Sequence, residues 1–207
     1  MLVAGTATEV GKTWVACALI RRLREDGARV AARKPAQSYD PGDPGPTDAE
    51  ALAAATGAST EAVCTSDRTY PLPMAPPMAA EALGRTPATI AELAGGLSWP
   101  SGTDVGIVES AGGVRSPLAA DGDTVDLVRA IRPDLVVLVA DAGLGTINAV
   151  RSVAPALADW PLAVLLNRYE PSDELHRRNR EWLAERERLS VHVDLEAIVG
   201  LLLTARR

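Results

Sequence analysis

A glycine-rich segment that begins at Gly5, GTATEVGKT, has the residues of a phosphate-binding loop with altered spacing. The usual pattern is G-x-x-x-x-G-K-[ST], but here five residues separate Gly5 from Gly11, and Thr6 stands where the first glycine is expected. In such a loop, backbone N–H groups and the helix dipole hold phosphate oxygens, the lysine bridges the outer phosphates, and the next hydroxyl binds Mg²⁺. Lys12 and Thr13 are therefore predicted to contact a magnesium nucleotide, and a plain glycine turn is the alternative.

Two carboxylates are candidates to complete a magnesium site, because Mg²⁺ prefers oxygen ligands. Glu109 ends the apolar run VGIVE, and an acid that closes a buried strand is costly unless it is used. Asp48 follows a loop rich in proline and glycine, where it could instead be a plain helix N-cap. Together with Thr13, these two residues are the predicted metal ligands.

Lys34 ends the second predicted strand, in the segment KPAQS. A lysine there could be an exposed residue whose stem lies along the surface. Beside a phosphate loop it would instead be a second cation, able to stabilise the charge that develops during phosphoryl transfer.

Apolar runs alternate with helical patterns along the whole chain. Runs that are apolar on both faces suit the central strands of a parallel sheet, so the alternation predicts an α/β fold, a doubly wound and mainly parallel sheet with helices on both faces. One domain is expected over residues 1–207, and its first helix is expected to bury Trp14, Val15 and Leu19. The predicted strands are 2–4, 28–33, 105–109, 135–140 and 162–167, and the predicted helices are 13–26, 48–56, 123–131, 148–158 and about 173–187.

Charge and composition exclude several classes of protein. A net charge of −6 argues against binding to nucleic acid, which needs clustered Lys and Arg. Cys17 and Cys64 lack metal-site spacing and are too few for a disulfide framework; Cys17 is predicted to pack in the core. No apolar stretch approaches the ~18–20 residues of a membrane span, and the first residues form a strand rather than a signal peptide. A cytoplasmic protein that binds no membrane is expected. His176 and His192 lie far from every motif and are predicted to be surface residues.

These motifs, in this order, resemble those of dethiobiotin synthetases. That family has the same one-residue expansion of the phosphate loop, in the form G-T-x-T-x-V-G-K-T. The further matches are KPAQS (34–38), Asp48 after its loop, MAPPMAAE (74–81), VESAGG (108–113), LGTIN (144–148) and Asn167 at a strand end. The resemblance covers residues 1 to about 168 and implies a P-loop NTPase-like three-layer sandwich.

The resemblance also implies a reaction that uses ATP and Mg²⁺. 7,8-Diaminopelargonic acid takes up CO₂ as a carbamate, whose oxygen attacks the γ-phosphate of ATP to give a carbamic–phosphoric anhydride. The second amine then closes the ring and expels phosphate. An anionic carbamate that approaches a triphosphate needs positive charge, which Lys12, Lys34 and Mg²⁺ would provide.

Site residues follow from the resemblance, position by position. Lys12, Lys34, Thr8 and Ser38 would be catalytic, and a homodimer is implied in which Leu144 to Asn148 reach the substrate of the neighbouring subunit. Asn148 could also be a helix N-cap. The phosphates would be held by Glu9, Val10, Gly11, Lys12 and Thr13, the base by Asn167, and the substrate by Thr8, Lys34, Ser38, Gly112, Gly113, Leu144 and Asn148.

The chain departs from the family pattern in four places. Ala7, Tyr39 and Ser110 stand where the family usually has Asp or Gly, Gly, and Gly, respectively. The fourth departure is ERLSVHVDLEAIVGLLL (187–203), which lacks the G-x-[IV]-P turn that lines the base pocket. It predicts a sheet that is one strand shorter and a more open adenine pocket. Asn167 would then be the main base contact, and selectivity among nucleobases would be loose.

Two other functions remain as alternatives. A related P-loop ligase or amidotransferase acting on another substrate is disfavoured, since the chain has no glutaminase-like domain and no nucleophilic cysteine motif. A regulatory ATPase of the partitioning type would carry an extra lysine where this chain has Thr6 and Ala7. The tail LEAIVGLLLTARR (195–207) could either contact a membrane weakly, as in that class, or pack on the sheet or at a subunit contact.

Overall fold

A computed structural model describes residues 1–204 as a parallel sheet between two layers of helices. The main sheet has six strands in the order β2-β5-β1-β6-β7-β8, and every neighbouring pair is parallel. This architecture confirms the predicted doubly wound α/β fold. The strands are β1 Leu2–Gly5, β2 Val30–Arg33, β3 Gln37–Ser38, β4 Thr69–Tyr70, β5 Val105–Glu109, β6 Val136–Asp141, β7 Leu162–Asn167 and β8 Val191–His192.

Helices cover both faces of this sheet. One face carries α1, α2 and α9, and the other carries α5, α6 and α7. The helix α8 continues as a single π-helical turn, Trp182–Arg186, and α7 is followed by a 3₁₀ turn, Ala154–Leu157. The helices are α1 Lys12–Glu25, α2 Asp48–Thr56, α3 Thr60–Val63, α4 Pro76–Ala82, α5 Ile90–Gly95, α6 Thr124–Ile131, α7 Thr146–Val153, α8 Glu174–Glu181 and α9 Leu195–Thr204.

The central strands are apolar on both faces because each face is covered. Successive strand residues point to opposite sides, so Leu2 and Ala4 pack into one core while Val3 packs into the other. In β6 the same alternation sends Val136 and Leu138 to one core and its odd-numbered neighbours to the other. Continuous apolar runs therefore mark buried parallel strands, as the sequence predicts.

The last described elements differ from the sequence prediction. The expected loss of a strand is wrong, because Val191–His192 forms β8 and pairs in parallel with β7. The helix α9 then buries Ile198 and Val199 in the core that contains α1. This placement agrees with packing of the tail on the sheet, while Arg206 and Arg207 lie outside the described residues. Among residues 1–204, no helix is long and apolar enough to cross a bilayer.

Three local features also differ from the sequence prediction. The predicted burial of Trp14 is wrong, because its side chain is 60% exposed while its neighbour Val15 is fully buried. The helix α7 begins at Thr146 with Gly145 as its N-cap, so Asn148 lies in the first turn and is not the cap. A separate pair of two-residue strands, β3 and β4, lies outside the main sheet and was not predicted.

Candidate active site

The phosphate loop connects β1 to α1, and its backbone takes conformations that favour glycine. Gly11 is the N-cap of α1 with φ 90°, and Glu9 has φ 62°. The side-chain amide of Asn167 donates a hydrogen bond to the carbonyl of Val10 (3.0 Å), and a Cβ on Gly11 would lie 2.1 Å from that amide nitrogen. A larger residue at position 11 would therefore be strained in the backbone and would also collide with Asn167.

Lys12 is buried in this loop and donates a hydrogen bond to the carbonyl of Ala7 (3.0 Å). Burial lowers the pKa of its ammonium, and the nearby Lys34 lowers it further. An anionic ligand would offset both effects. Lys12 and Lys34 are also the only two lysines in the 207-residue sequence, since its remaining basic residues are arginines and two histidines.

Four polar side chains meet beside the loop. Lys34 is 1% exposed, and its Nζ donates to Asp48 Oδ2 (2.5 Å) and to Glu109 Oε1 (2.6 Å). The Oγ1 of Thr13 lies 2.6 Å from Asp48 Oδ1 and 2.8 Å from the same Glu109 oxygen. Its single proton can serve only one of these oxygens at a time. The structure thus brings together the predicted second cation and the three predicted metal ligands.

Strand register explains why these side chains meet. Arg33 is paired with Val108, so the next residues, Lys34 and Glu109, lie side by side at the carboxyl edge of the sheet. Asp48 arrives from α2, whose N-cap is Thr47 in a capping box with Glu50. Because Thr47 caps the helix, the carboxylate of Asp48 is free to point into the site, which answers the N-cap alternative.

Burial and pairing set the charges of this cluster. Burial alone would lower the pKa of Lys34, but contact with the carboxylates of Glu109 and Asp48 raises it above its ordinary value. Burial would raise the pKa of Asp48, but Lys34 and Thr13 bring it below its ordinary value. Glu109 is fully buried, and this burial raises its pKa although Lys34 opposes the shift. One ammonium therefore balances two carboxylates incompletely.

The oxygen atoms of the cluster fit a magnesium ion. Glu109 Oε2 is buried and has no hydrogen-bond partner, so one carboxylate oxygen is unsatisfied without a cation. Among the described residues there is no group of three His, Cys, Asp or Glu side chains that could hold a metal by themselves. Two carboxylates and one hydroxyl are a partial oxygen set, as expected where a nucleotide supplies further ligands.

A cavity of about 800 Å³ adjoins this cluster and the phosphate loop. Its lining includes Thr8, Lys34 and Ser38, together with Tyr39 at the departure from the family pattern. The hydroxyl of Ser38 is engaged, because its Oγ donates to the carbonyl of Met74 (2.5 Å). The lining therefore mixes charge near the loop with apolar surface near Met74, which suits a ligand with a polar head and an aliphatic chain.

The remaining predicted site residues are distributed more widely. Gly112 lines the 800 Å³ cavity, but Gly113 is packed against the carbonyl of Thr6, 3.2 Å from where its Cβ would be. The side chain of Val10 is buried, so only its backbone is available to a phosphate. Leu144 and Asn148 do not line the cavity within this chain, and the Leu144 side chain is 92% exposed.

The departures at Ala7 and Ser110 lie close to the phosphate loop. Ala7 is exposed, and its carbonyl accepts a hydrogen bond from the ammonium of Lys12. Ser110 is fully buried, and its Oγ has no hydrogen-bond partner. An unsatisfied buried hydroxyl costs stability.

A second cavity, of about 540 Å³, lies on the other side of Gly11 and is bounded by Trp14, Asn167, Tyr169 and the segment 193–195. The segment after β8 therefore closes a pocket at the position where the family's G-x-[IV]-P turn is missing. Residues 193–195 thus line this cavity although their sequence differs from the family's G-x-[IV]-P turn.

Arg168 is a residue that sequence reasoning missed. It lines both cavities, and its guanidinium donates to the carbonyl of Glu9 (3.0 Å) and to Asp141 Oδ2 (2.9 Å). The other oxygen of Asp141 accepts the backbone N–H of Gly143 (2.8 Å). Arg168 thus ties the phosphate loop to the loop that follows β6. Its position directly after Asn167 at a strand end was the available signal.

Comparisons with known proteins identify a family and close sequence relatives. The model of a family described as an AAA domain matches residues 1–199. The ATP-dependent dethiobiotin synthetase of Anaeromyxobacter dehalogenans (strain 2CP-C) is 41% identical over 182 residues, which cover 84% of this chain and 78% of that enzyme. The enzyme of the same name from Rhodococcus jostii (strain RHA1) is 40% identical over 166 residues, with 79% and 69% covered.

A similarity among solved structures is weaker. A nucleotide-binding protein from Archaeoglobus fulgidus in complex with ADP aligns with a TM-score of 0.49 and 13% identity, covering 99% of this chain and 86% of that one. The fold assignment therefore depends on the strand order described above, and the relationship depends on the two sequence relatives.

Proposed function

The chain belongs to the family of ATP-dependent dethiobiotin synthetases, and we propose that it catalyses their reaction, an ATP-dependent ligation that forms a C–N bond. The observation that carries this proposal is the cluster of Lys34, Asp48, Glu109 and Thr13 beside the phosphate loop. Such a cluster combines positive charge for an anionic substrate with oxygen ligands for the metal of a nucleotide.

The proposed substrates are 7,8-diaminopelargonic acid, CO₂ and ATP. The carbamate oxygen of the substrate forms a bond to the γ-phosphorus and ADP leaves. The neighbouring amine then attacks the carbamoyl carbon, the ring closes, and inorganic phosphate leaves with the electron pair of the broken C–O bond. The carbamate and the triphosphate repel each other because both are anions, and this repulsion opposes the first step. Lys12 and Lys34 would offset it with positive charge.

Thr13, Asp48 and Glu109 would hold Mg²⁺, and the unpartnered Oε2 of Glu109 supports this role. When bound, the ion would offset negative charge on the phosphate oxygens. Lys34 is then no longer needed to neutralise the carboxylates, and its ammonium becomes available to the carbamate. Thr8, Ser38 and the backbone at Gly112 are proposed to orient the substrate in the 800 Å³ cavity.

A homodimer with a shared active site is also part of the proposal. The loop that carries LGTIN exposes Leu144 almost completely, and α8 and its π-helical turn add the exposed side chains of Leu175 and Trp182, respectively. The amide of Asn179 on α8 holds this loop through the carbonyl of Ala142 (2.9 Å). An exposed leucine on a well-held loop favours a subunit contact.

Light scattering should give twice the monomer mass for the wild type. Leu144→Asp should give monomers, whereas Leu83→Asp, on another exposed site, should not; a monomeric wild type would contradict the proposal.

Two further features complete the proposal. The enzyme would work in the cytoplasm, where two unpaired cysteines remain reduced. Nucleobase selectivity would be loose, since the wall of the 540 Å³ pocket has an altered sequence. Binding assays with several nucleoside triphosphates test this, and a preference for ATP above ~1.4 kcal/mol, one decade in affinity, would contradict it.

The reaction itself is tested by incubating the protein with diaminopelargonic acid, bicarbonate, Mg²⁺ and ATP and detecting dethiobiotin by mass. Lys34→Ala should lower the rate ~10²- to 10³-fold, the usual effect of removing one electrostatic stabiliser. Arg33→Ala is the matched control, because it removes the adjacent cation, which stacks over Trp99 at 5.3 Å. No product from the wild type would overturn the proposal, and phosphate release without dethiobiotin would favour a regulatory ATPase.

A further inference from the structure

The 540 Å³ cavity on the far side of Gly11 offers more to the flat face of a ligand than to its edge. We propose that Trp14 is the stacking surface for the nucleobase, and that the base is held mainly by this stacking and not by side chains that read its edge. This inference rests on the proposed use of ATP, because it assigns the remainder of the same nucleotide site.

Trp14 is exposed where the helical pattern would bury an aromatic residue. It is the third residue of α1, directly after the predicted metal ligand Thr13, and its indole is 60% exposed in the cavity wall. Val15 and Leu19 on the same helix are completely buried, so the helix has enough apolar contact without it. An indole exposed beside a phosphate loop offers an aromatic face to the ligand that binds there.

The side chains that could read the edge of a base are partly engaged within the protein. Asn167 donates one amide N–H to the carbonyl of Val10 and is pressed against Gly11, so it also supports the phosphate loop. Asp194 accepts the N–H of Ala197 (2.9 Å) at the start of α9. Asn167 keeps its second N–H and its oxygen, and Asp194 keeps one carboxylate oxygen. Asn167 therefore stays a predicted base contact, to which the proposal adds stacking on Trp14 as the larger contribution.

The segment at the start of α9 supplies another part of the cavity lining. Val193 and Leu195 contribute apolar surface there. The helix α9, which begins at Leu195, packs on α1 through the buried Ile198 and Val199, and Arg22 on α1 pairs with Glu196 on α9 (2.6 Å). A cavity lined by an indole and aliphatic side chains accepts any base, because every base has an aromatic face.

The test compares nucleotides with a ligand that has phosphates but no base. Binding of ATP, GTP, CTP, UTP and inorganic tripolyphosphate is measured by calorimetry with Mg²⁺ for wild type, Trp14→Leu and Trp14→Phe. Trp14→Leu should weaken all four nucleotides roughly 5- to 140-fold, which is ~1–3 kcal/mol at 1.4 kcal/mol per decade. Tripolyphosphate should bind unchanged, and Trp14→Phe should recover part of the loss.

Trp99→Leu is the matched control, since it removes another exposed indole, 41% exposed and outside the cavity. It should change no affinity, and nucleotide should still quench tryptophan fluorescence in this variant but not in Trp14→Leu. Nucleotide affinities of Trp14→Leu equal to those of wild type would overturn the inference and leave the proposed function standing. Equal losses for tripolyphosphate would also overturn it, because the phosphate loop itself would then be disturbed. A wild type that binds neither ligand would contradict both.

Discussion

Removal of Lys34 tests whether the ion cluster governs stability as well as chemistry. Lys34→Met keeps an unbranched side chain but leaves the fully buried Glu109 facing Asp48 with no ammonium between them. Breaking a buried pair by removing one partner costs ~3–5 kcal/mol. For a chain of this size each kcal/mol lowers Tm by ~2–4 °C, so a decrease of ~6–20 °C is expected.

The contributions of Asp48 and Glu109 to this loss of stability can be measured separately. Asp48 keeps 42% of its side chain exposed and can be hydrated, whereas Glu109 is fully buried. Lys34→Met combined with Glu109→Gln should therefore recover most of the lost stability, and Lys34→Met alone should be partly rescued by millimolar Mg²⁺. Urea unfolding of the four proteins, with unchanged slopes, gives the coupling free energy of the cycle.

A Lys34→Met protein within about 1 kcal/mol of wild type would refute the reasoning, because the carboxylates would then not depend on the ammonium. The same conclusion would follow if Glu109→Gln failed to restore stability in the double variant. Arg33→Met, which removes the adjacent cation, is the control and should cost much less than Lys34→Met.

Three further predictions concern other parts of the molecule. Gly11→Ala should abolish nucleotide binding and lower the free energy of unfolding by ~1–3 kcal/mol, because φ is 90° and the new Cβ would collide with Asn167. Adding Asn167→Ala should relieve the collision but not the backbone strain, and urea unfolding of both variants measures the difference. Arg168→Met should weaken ATP binding ~10-fold but change the free energy of unfolding little, since the guanidinium is exposed. Arg168→Lys should fail to restore binding, because a single ammonium cannot reach Glu9 and Asp141 together. Calorimetry measures the ATP affinity of both variants. Burial raises the pKa of the Cys17 thiol to about 11, so this thiol should resist iodoacetamide at pH 8 in the folded protein. The folded state then binds this proton at pH values where the unfolded state has lost it, so the free energy of unfolding should fall as the pH rises from 9 to 11. Cys17→Ala should lose that dependence.

The sequence predicted the main sheet well because buried parallel strands have a simple signal. Five apolar runs correspond to five strands, with β2 beginning two residues later than expected. Strand ends then located Lys34 and Glu109 at one edge, since parallel strands share their carboxyl side. Short elements escaped: β3, β4 and β8 have two residues each, too few for a period to appear.

Side-chain direction near the site was less predictable. Trp14 fits a buried helical pattern, but its side chain lines the 540 Å³ cavity and is not in the core. The engagement of Asn167 with Val10 and the reach of Arg168 to Glu9 join residues more than 150 positions apart. No local pattern contains such contacts, because they depend on how the end of β7 approaches the phosphate loop.

The confinement of both lysines to the phosphate loop region has a practical consequence for covalent chemistry. Lys12 is 7% and Lys34 1% exposed, and the ammonium of Met1 is occupied by the carbonyl of Gly106 (2.8 Å). The described surface therefore presents arginines but no freely accessible amine. Reagents that acylate amines should label the folded protein slowly, and modification at Lys12 should require opening of the loop. The extent of acylation, read by mass with and without nucleotide, would then report on how often the phosphate loop opens.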